Sequence, residues 1–586
     1  MTPLPEYPRP AMRRDSFENL NGPWQYAFTR TAAEPTAWQG DICVPYSPEA
    51  AASGVGRTLQ PDEWLHYRRV FAAPRGTAGR VLLHFGAVDY ACTVAVNGHA
   101  VGSHSGGYWP FTLDITDALH DGENLLWVSV QDPTDTGVQA RGKQTLHPGG
   151  MFYHGQSGIW QTVWLERVPD NYIEALTVTP DYDARTVRVA VRASQSAQGL
   201  RAVVRMGGAC IAEGWASDVD DAENALTLAI DPAHFRPWST DDPYLYDLEV
   251  ELNGGDVVHS YFALRKWSSE PDVKGVLRLC LNGKPILLNG LLDQGYWPQG
   301  LYTPPSDAAV VDELKAVKAL GFNMLRKHAK IEPQRWYYHC DRLGIVVWQD
   351  FVNGGDKYRL WFVTYLTNIF QPLLRRFADG AAHYKLLARD SEAARAEYER
   401  EREATMAALG NHPCIGCWVP FNEGWGQFDA SRTAELVHAA DHTRMIDAAS
   451  GWYDQGAGDV DSIHNYFYPL RVRPGSRAVV LSEYGGIAWP MPGHEPPGKT
   501  YGYGTAKSRE ELTQRYRALQ LDTVRPQLAR GLSALVYTQL TDVEDEVNGL
   551  FTADRAACKV EPDAVREVNA ALAAAFAEAC EEGQKS

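Results

Sequence analysis

The sequence predicts two antiparallel β-sandwiches followed by a (β/α)8 barrel, and three observations carry that reading. The chain has 586 residues, too many for one hydrophobic core. Up to about residue 266 its apolar positions recur every second residue between turn signals, the grammar of half-buried strands. After Trp267 short apolar strands alternate with amphipathic helices, which is α/β grammar.

The first module, residues 1–168, contains Val81–Phe85, Thr93–Val96 and Leu125–Val130 as strands. Asn97-Gly98, Gly106-Gly107 and Asp121-Gly122 supply the turns. Residues 169–266 continue the period-2 pattern. Thr186–Arg192 places Val at every second position, and Tyr246–Leu252 alternates apolar with acidic residues. About 95 residues matches one immunoglobulin-like sandwich. In residues 267–586, Ser306 is placed to cap a helix with the stripe Val310, Val311, Leu314, Val317 and Leu320, ended by Gly321. Eight strands are expected at Ile286–Leu288, Phe322–Leu325, Ile345–Trp348, Ile415–Pro420, Met445–Ala448, Ser462–Asn465, Val479–Ser482 and Leu532–Leu540. Residues 354–410 interrupt this rhythm. An aromatic stretch (Tyr358, Trp361, Phe362, Tyr365, Phe370, Phe377) precedes a helix bearing Glu392, Arg395, Glu399 and Arg402. It reads as an enlarged loop with a solvated charged helix; an aromatic wall over a site, or a subunit contact, is the alternative.

Composition narrows the function classes. The chain is 45% hydrophobic and 22% charged, as in a globular protein, and its net charge of −18 offers no basic stripe for nucleic acid. Residues Met1–Pro8 lack the apolar core of a secretory signal, and no stretch is apolar for long enough to span a membrane. The nine cysteines are scattered. Cys414-x-x-Cys417 has no second ligand pair, so free thiols in a cytoplasmic setting are expected rather than zinc. The 18 Trp and 28 Tyr either fill β-cores or form platforms for sugar rings. A homo-oligomer is compatible with the sequence, which does not fix the assembly.

In a barrel the reactive groups sit at the carboxyl ends of the strands. Two apolar runs end in glutamate there: Ile415–Phe421 delivers Asn422-Glu423-Gly424-Trp425, and Ala478–Leu481 delivers Ser482-Glu483-Tyr484-Gly485-Gly486. Two carboxyl groups facing one another are what hydrolysis of a glycosidic bond needs, one to attack the anomeric carbon and one to protonate the leaving oxygen. A partly desolvated strand-end carboxyl suits the acid, the nucleophile needs hydrogen-bond donors, and Asn422 could bond a sugar 2-hydroxyl. Each glutamate by itself could equally cap a neighbouring helix or pair with Arg326.

At these residues the sequence resembles glycoside hydrolase family 2. Asn422-Glu423 is similar to that family's acid/base motif, and Ser482–Gly486 to its nucleophile motif. Gly86–Tyr90, Val96-Asn97-Gly98, Gly106-Gly107-Tyr108, Phe111–Ile115 and Ser157–Trp160 resemble its sugar-binding jelly roll, so the first sandwich is expected to be one. The resemblance implies Glu423 as general acid/base and Glu483 as nucleophile of a retaining exo-β-glycosidase acting on a small glycoside or oligosaccharide. It implies further substrate-binding positions: Arg326 and His328 after the second strand, Tyr466 as donor to the nucleophile, Trp452 as a stacking ring, and Tyr537 where the family often has Trp. Asp132 resembles an aspartate reaching in from the jelly roll, and Asp293 after the first strand joins the same group.

The departures bear on the sugar. Gly290 is followed by Leu291-Leu292-Asp293-Gln294 where β-galactosidases of the family often carry Asn-Arg-His-Glu. Leu550 stands where β-glucuronidases place a Lys, and the stretch Trp348–Gly355 offers Asp350 without the Glu and His of a magnesium loop. No cofactor or metal is therefore expected. A neutral β-hexoside, galactoside first, ranks ahead of arabinopyranoside, mannoside and uronide, and an inactive carbohydrate-binding protein or an endo-acting enzyme is the rival. The acidic run Asp542, Glu544, Asp545, Glu546 reads as a solvated or helix-starting loop, with Asp542 or Glu544 binding hydroxyls at the non-reducing end as the alternative.

Overall fold

The computed structural model describes residues 2–72, 79–196, 199–217, 223–252, 255–496 and 498–581. In the first sandwich a four-stranded sheet (Glu18–Asn19, Val163–Val168, Arg80–Phe85, Phe111–Asp114) faces a six-stranded one (Gly40–Val44, Gly22–Thr29, Trp64–Ala72, Glu123–Gln131, Ala91–Val96, His99–Ser105). Leu83, Phe85 and Leu165 from one sheet meet Trp24, Leu65, Val94 and Val128 from the other in a single core. Asn97 and Gly98 both take positive φ, 52° and 80°, as a tight hairpin between right-twisted strands requires.

The second sandwich pairs a three-stranded sheet (Ile173–Asp181, Thr186–Ala193, Glu223–Ala229) with a four-stranded one (Ala209–Ala216, Leu200–Met206, Tyr246–Leu252, Asp256–Phe262). Val187, Val189 and Val191 all point into its core, opposite Leu248, Val250 and Leu252. Arg14 is buried at the junction of the sandwiches, bonded to Glu166 of the first and Asp256 of the second.

The barrel strands are β1 (Leu288–Asp293), β2 (Met324–Lys327), β3 (Val346–Asp350), β4 (Ile415–Val419), β5 (Met445–Ile446), β6 (Val460–Asn465), β7 (Ala478–Gly485) and β8 (Leu532–Thr538). All are parallel and laddered in barrel order except at the β5–β6 seam. There the Asp459 amide donates to the Ile446 carbonyl (2.8 Å) and Ser462 Oγ to Asp447 Oδ2 (2.8 Å). Strand β1 lies later than the expected Ile286–Leu288. Asn289, Gly290 and Asp293 interrupt its apolar pattern, yet all six of its residues are buried because the barrel supplies polar partners inside. Helix α1 (Asp307–Ala319) is capped as expected, Ser306 Oγ accepting from the Ala309 amide at 3.1 Å.

In the segment after β3, residues Trp361–Leu374 form a helical arm whose Trp361, Tyr365, Ile369 and Leu373 face solvent. Helix α2 (Glu392–Leu409) follows. Its charges are not simply solvated as expected: Glu397, Glu401 and Arg402 are buried, and Tyr90 Oη and Trp109 Nε1 of the first sandwich donate to Glu397 (2.8 Å) and Glu401 (3.0 Å). A helix face bearing charge at i and i+4 looks wet in sequence, and only the docked sandwich buries it. All nine cysteines are free, and no described helix is long and apolar enough to cross a membrane.

Candidate active site

Glu423 lies in the turn after β4, where Asn422 bridges to Ser450 in parallel and the Glu423 amide donates to the Ser450 carbonyl at 3.0 Å. Its φ of 50° is the left-handed region that a side chain with a Cβ seldom occupies, and residues held there cluster at functional sites. Glu483 sits within β7, where the pairing shifts register against both β6 and β8. Such bulges re-aim a side chain at a barrel rim. His464, on β6, is the register partner of Glu483.

These three side chains converge. Carboxylate oxygens of Glu423 and Glu483 and a ring nitrogen of His464 all lie within 4.8 Å of one another. Glu483 accepts from Arg326 Nη1 at 3.0 Å and from the Tyr466 hydroxyl at 2.8 Å. Burial by itself would raise its pKa, but the His464 ring and the Arg326 guanidinium outweigh burial and hold it below the usual carboxylate range. Glu423 is half-buried; His464 Nδ1 lies 2.8 Å from its Oε1, and Trp425 Nε1 donates to its Oε2 at 3.3 Å. The two carboxyl groups thus have different surroundings, one gripped by an arginine and a tyrosine, the other touched by a histidine and an indole.

Arg326 organises the floor. Its fork binds both oxygens of Asp350 (2.9 and 3.1 Å), Glu483, the Ser482 carbonyl and Asn422 Oδ1 (2.9 Å). Asn422 therefore offers a substrate only its amide nitrogen, which has no partner among the described residues. His328 Nδ1 lies 2.7 Å from Asp350 Oδ2, and burial, with the nearby Lys143 cation next, pushes the imidazole below its ordinary value. Burial also acts on Asp350, but Arg326 and His328 hold it ionised.

Four expected positions are placed differently. Tyr537 packs against Tyr484 and against Tyr516 of the helix Arg509–Ala518, on the helix side of β8. Period-2 alternation instead sends its neighbour Thr538 to the site, 2.8 Å from the Tyr466 hydroxyl. Asp132 spends its oxygens on the Thr134 amide and on Ser157 Oγ within its own sandwich, and burial raises it to about 6. Asp293 is bonded to Lys327 and the Gly295 amide, and Lys327 also binds Glu332, which makes a buried ion cluster off the site. Trp452 is buried in an aromatic cluster with Phe362, Trp425 and Tyr453.

The acidic run after β8 neither floats in solvent nor is free for hydroxyls: Asp542 pairs with Lys559 (2.7 Å), and Glu544 and Glu546 hold the first sandwich. The sandwich sends residues 140–154 across the barrel mouth. Ala140 bridges to Gly354, and the amides of Arg141 and Gly142 donate to the Asn353 carbonyl. Phe152 meets Trp425 edge-on at 5.6 Å, the Tyr153 hydroxyl donates to Glu546, and the His154 amide donates to Glu544 at 2.9 Å. Sequence reasoning missed His464, Asp350 and this loop. His464 could have been found, since it sits two residues before Tyr466 and so shares its face of the strand.

Comparison with known proteins follows the same three modules. Residues 56–161 match the family model described as glycosyl hydrolase 2 galactose-binding domain-like, residues 171–265 that of glycosyl hydrolases family 2, and residues 272–484 that of its TIM barrel domain. The chain belongs to glycosyl hydrolase family 2. A β-galactosidase of Thermoanaerobacter pseudethanolicus is 23% identical over 451 residues, covering 73% of this chain and 55% of that one. One from Lactococcus lactis is 26% identical over 496 residues, covering 79% of this chain and 44% of that one. The chain thus spans about half the length of the curated relatives it matches. Among solved structures, a Bifidobacterium dentium β-glucuronidase complexed with coumarin-3-O-glucuronide superposes with TM-score 0.73 at 19% identity, covering 96% of this chain and 98% of that one. An Eisenbergiella tayi β-galacturonidase bound to galacturonate superposes with TM-score 0.71 at 18% identity, covering 97% and 99%. Three family 2 modules are present: galactose-binding-like sandwich, immunoglobulin-like sandwich and TIM barrel.

Proposed function

We propose that the protein is a retaining exo-β-glycosidase that works by double displacement. The observation that carries this is the approach of Glu423 and Glu483 to within 4.8 Å, in unlike surroundings. Retaining enzymes hold the pair about 5 Å apart, whereas inverting ones leave roughly 6.5–9.5 Å for a water. Glu483, held ionised, attacks the anomeric carbon; a glycosyl ester forms, the C1–O bond breaks, and Glu423 passes its proton to the leaving oxygen. Glu423 then takes a proton from water, which attacks C1 and frees the sugar with its original configuration. Exo action is supported by residues 140–154, which cross the barrel mouth and turn an open cleft toward a pocket for one terminal sugar.

The test separates the two carboxyl groups. Glu483→Gln is expected to fold and to lose nearly all turnover. Glu423→Ala is expected to keep glycosylation from a dinitrophenyl glycoside, which needs little protonation, and azide should rescue it as the β-glycosyl azide. Complete loss in both variants, or an α-azide product, overturns the assignment.

A further inference from the structure

Lys143 lies on the loop that crosses the barrel mouth. Gly142, with φ of 59°, sits so close to the backbone that a Cβ there would come 2.4 Å from the Ala329 carbonyl, one residue beyond His328. The amides of Arg141 and Gly142 are tied to Asn353, and the Tyr153 amide donates to the Lys143 carbonyl at 3.0 Å. Lys143 is half-buried, with its Nζ 5.8 Å from the centre of the Tyr153 ring. Its charge is felt at both His328 and Glu483. Yet Nζ has no carboxylate and no hydrogen-bond acceptor among the described residues.

Other cations of the barrel and of this loop are committed. Arg326 is filled by Asp350, Glu483, Asn422 and a carbonyl. Lys327 and Lys330 both bind Glu332, Lys559 binds Asp542, and Arg141 donates to the carbonyls of Gly355 and Asp356. Leu550, which stands where the family resemblance would put a uronide-binding lysine, is buried and apolar. A sugar acid entering this pocket brings a carboxylate next to Glu423 and Glu483, and without a cation to meet it that burial is strongly unfavourable. A neutral sugar makes no such demand.

We infer that Lys143, supplied by the first sandwich, receives a carboxylate on the terminal sugar, so that β-linked uronides are the preferred substrates. This reverses the order expected from the sequence, where neutral hexosides came first. It rests on the glycosidase reading for turnover but not for binding, and the two are tested separately. Binding of free galacturonate, glucuronate, galactose and glucose to the wild type and to Lys143→Met is measured by calorimetry. The acids should bind the wild type more tightly than their neutral counterparts, and the substitution should weaken the acids by about 10- to 100-fold, the range for a hydrogen bond to a charged group. Turnover of matched nitrophenyl β-galacturonide and β-galactoside, and of β-glucuronide and β-glucoside, is then compared. The acid-to-neutral ratio of kcat/KM should exceed one and fall at least tenfold in Lys143→Met. Acids bound no better than neutral sugars, or an unchanged ratio, overturns the assignment to Lys143. Acids bound through Lys143 with no glycoside hydrolysed would leave the carboxylate-binding role of Lys143 standing and overturn the glycosidase reading together with the substrate order that rests on it.

Discussion

At the scale of single residues, the site is built on how one carboxylate is kept ionised. Tyr466 is half-buried, and the desolvation of its hydroxyl together with the charge of Glu483 pushes its phenol far above the usual range, so it stays a donor to Glu483 at any working pH. A depressed nucleophile pKa means activity is present above that pKa and is lost as pH falls through it. Tyr466→Phe removes a donor to the ionised form, so the pKa of Glu483 should rise. The acid limb of the kcat/KM–pH profile should move to higher pH, and kcat should fall by about 10- to 100-fold, as for loss of a hydrogen bond to charge. An acid limb that stays in place would show that Arg326 and His464 hold Glu483 without Tyr466.

At the scale of elements, α2 joins the barrel to the first sandwich through a carboxyl group that favours its neutral form. Ser391 caps this helix, and Glu397 and Glu401 lie one turn apart on the face turned to Tyr90 and Trp109. Burial drives Glu401 up to about 8, and one of its oxygens has no partner among the described residues. An acid whose folded pKa is raised contributes stability that is whole below its unfolded value, near 4.5, and is lost as pH rises toward 8. Glu401→Gln keeps the acceptor for Trp109 without the titration. Relative to wild type it should therefore gain stability between pH 5 and pH 8 by about 1 kcal/mol or more. Thermal melts at the two pH values check this; a constant difference between the proteins would show that Glu401 does not titrate across that range.

At the scale of the whole molecule, the site belongs to two modules. The barrel supplies the carboxyl pair and the first sandwich supplies the loop over it, clamped where the Tyr153 hydroxyl donates to buried Glu546. Tyr153→Phe leaves that carboxylate with Asn548 as its other hydrogen-bond partner. The loss should cost about 1–3 kcal/mol of stability, as for a buried acceptor deprived of its donor, and it should loosen the loop that carries Lys143. KM should therefore rise more than kcat falls. Unfolding curves and steady-state kinetics measure the two effects; weakened stability with wild-type kinetics would show that the clamp is not coupled to the site.

Period and punctuation in the chain were enough to reveal three modules, the alternating strands of the sandwiches, helix α1 with its serine cap, and the glutamates at the ends of two apolar runs. These are local signals, because side-chain alternation, capping and strand-end placement are set by a few neighbouring residues. The reach of Arg326 and of Tyr466 to Glu483 was expected only from the family resemblance, and both hydrogen bonds are present in the structure. What the sequence could not decide was where polar groups far apart in the chain meet. Asp293 and Asp132 look as free as Glu423 until Lys327 and Ser157 are seen to occupy them. Tyr537 faces helix or site according to one residue of register, and the pairing of β7 with β8 is irregular at two places. The charges of α2 look solvated until a sandwich some 300 positions earlier docks on them. Lys143, distant in sequence from every catalytic motif, is carried to the barrel mouth because the packing of two modules brings its loop there, and tertiary contact rather than sequence spacing determines which charges at the site remain unpaired.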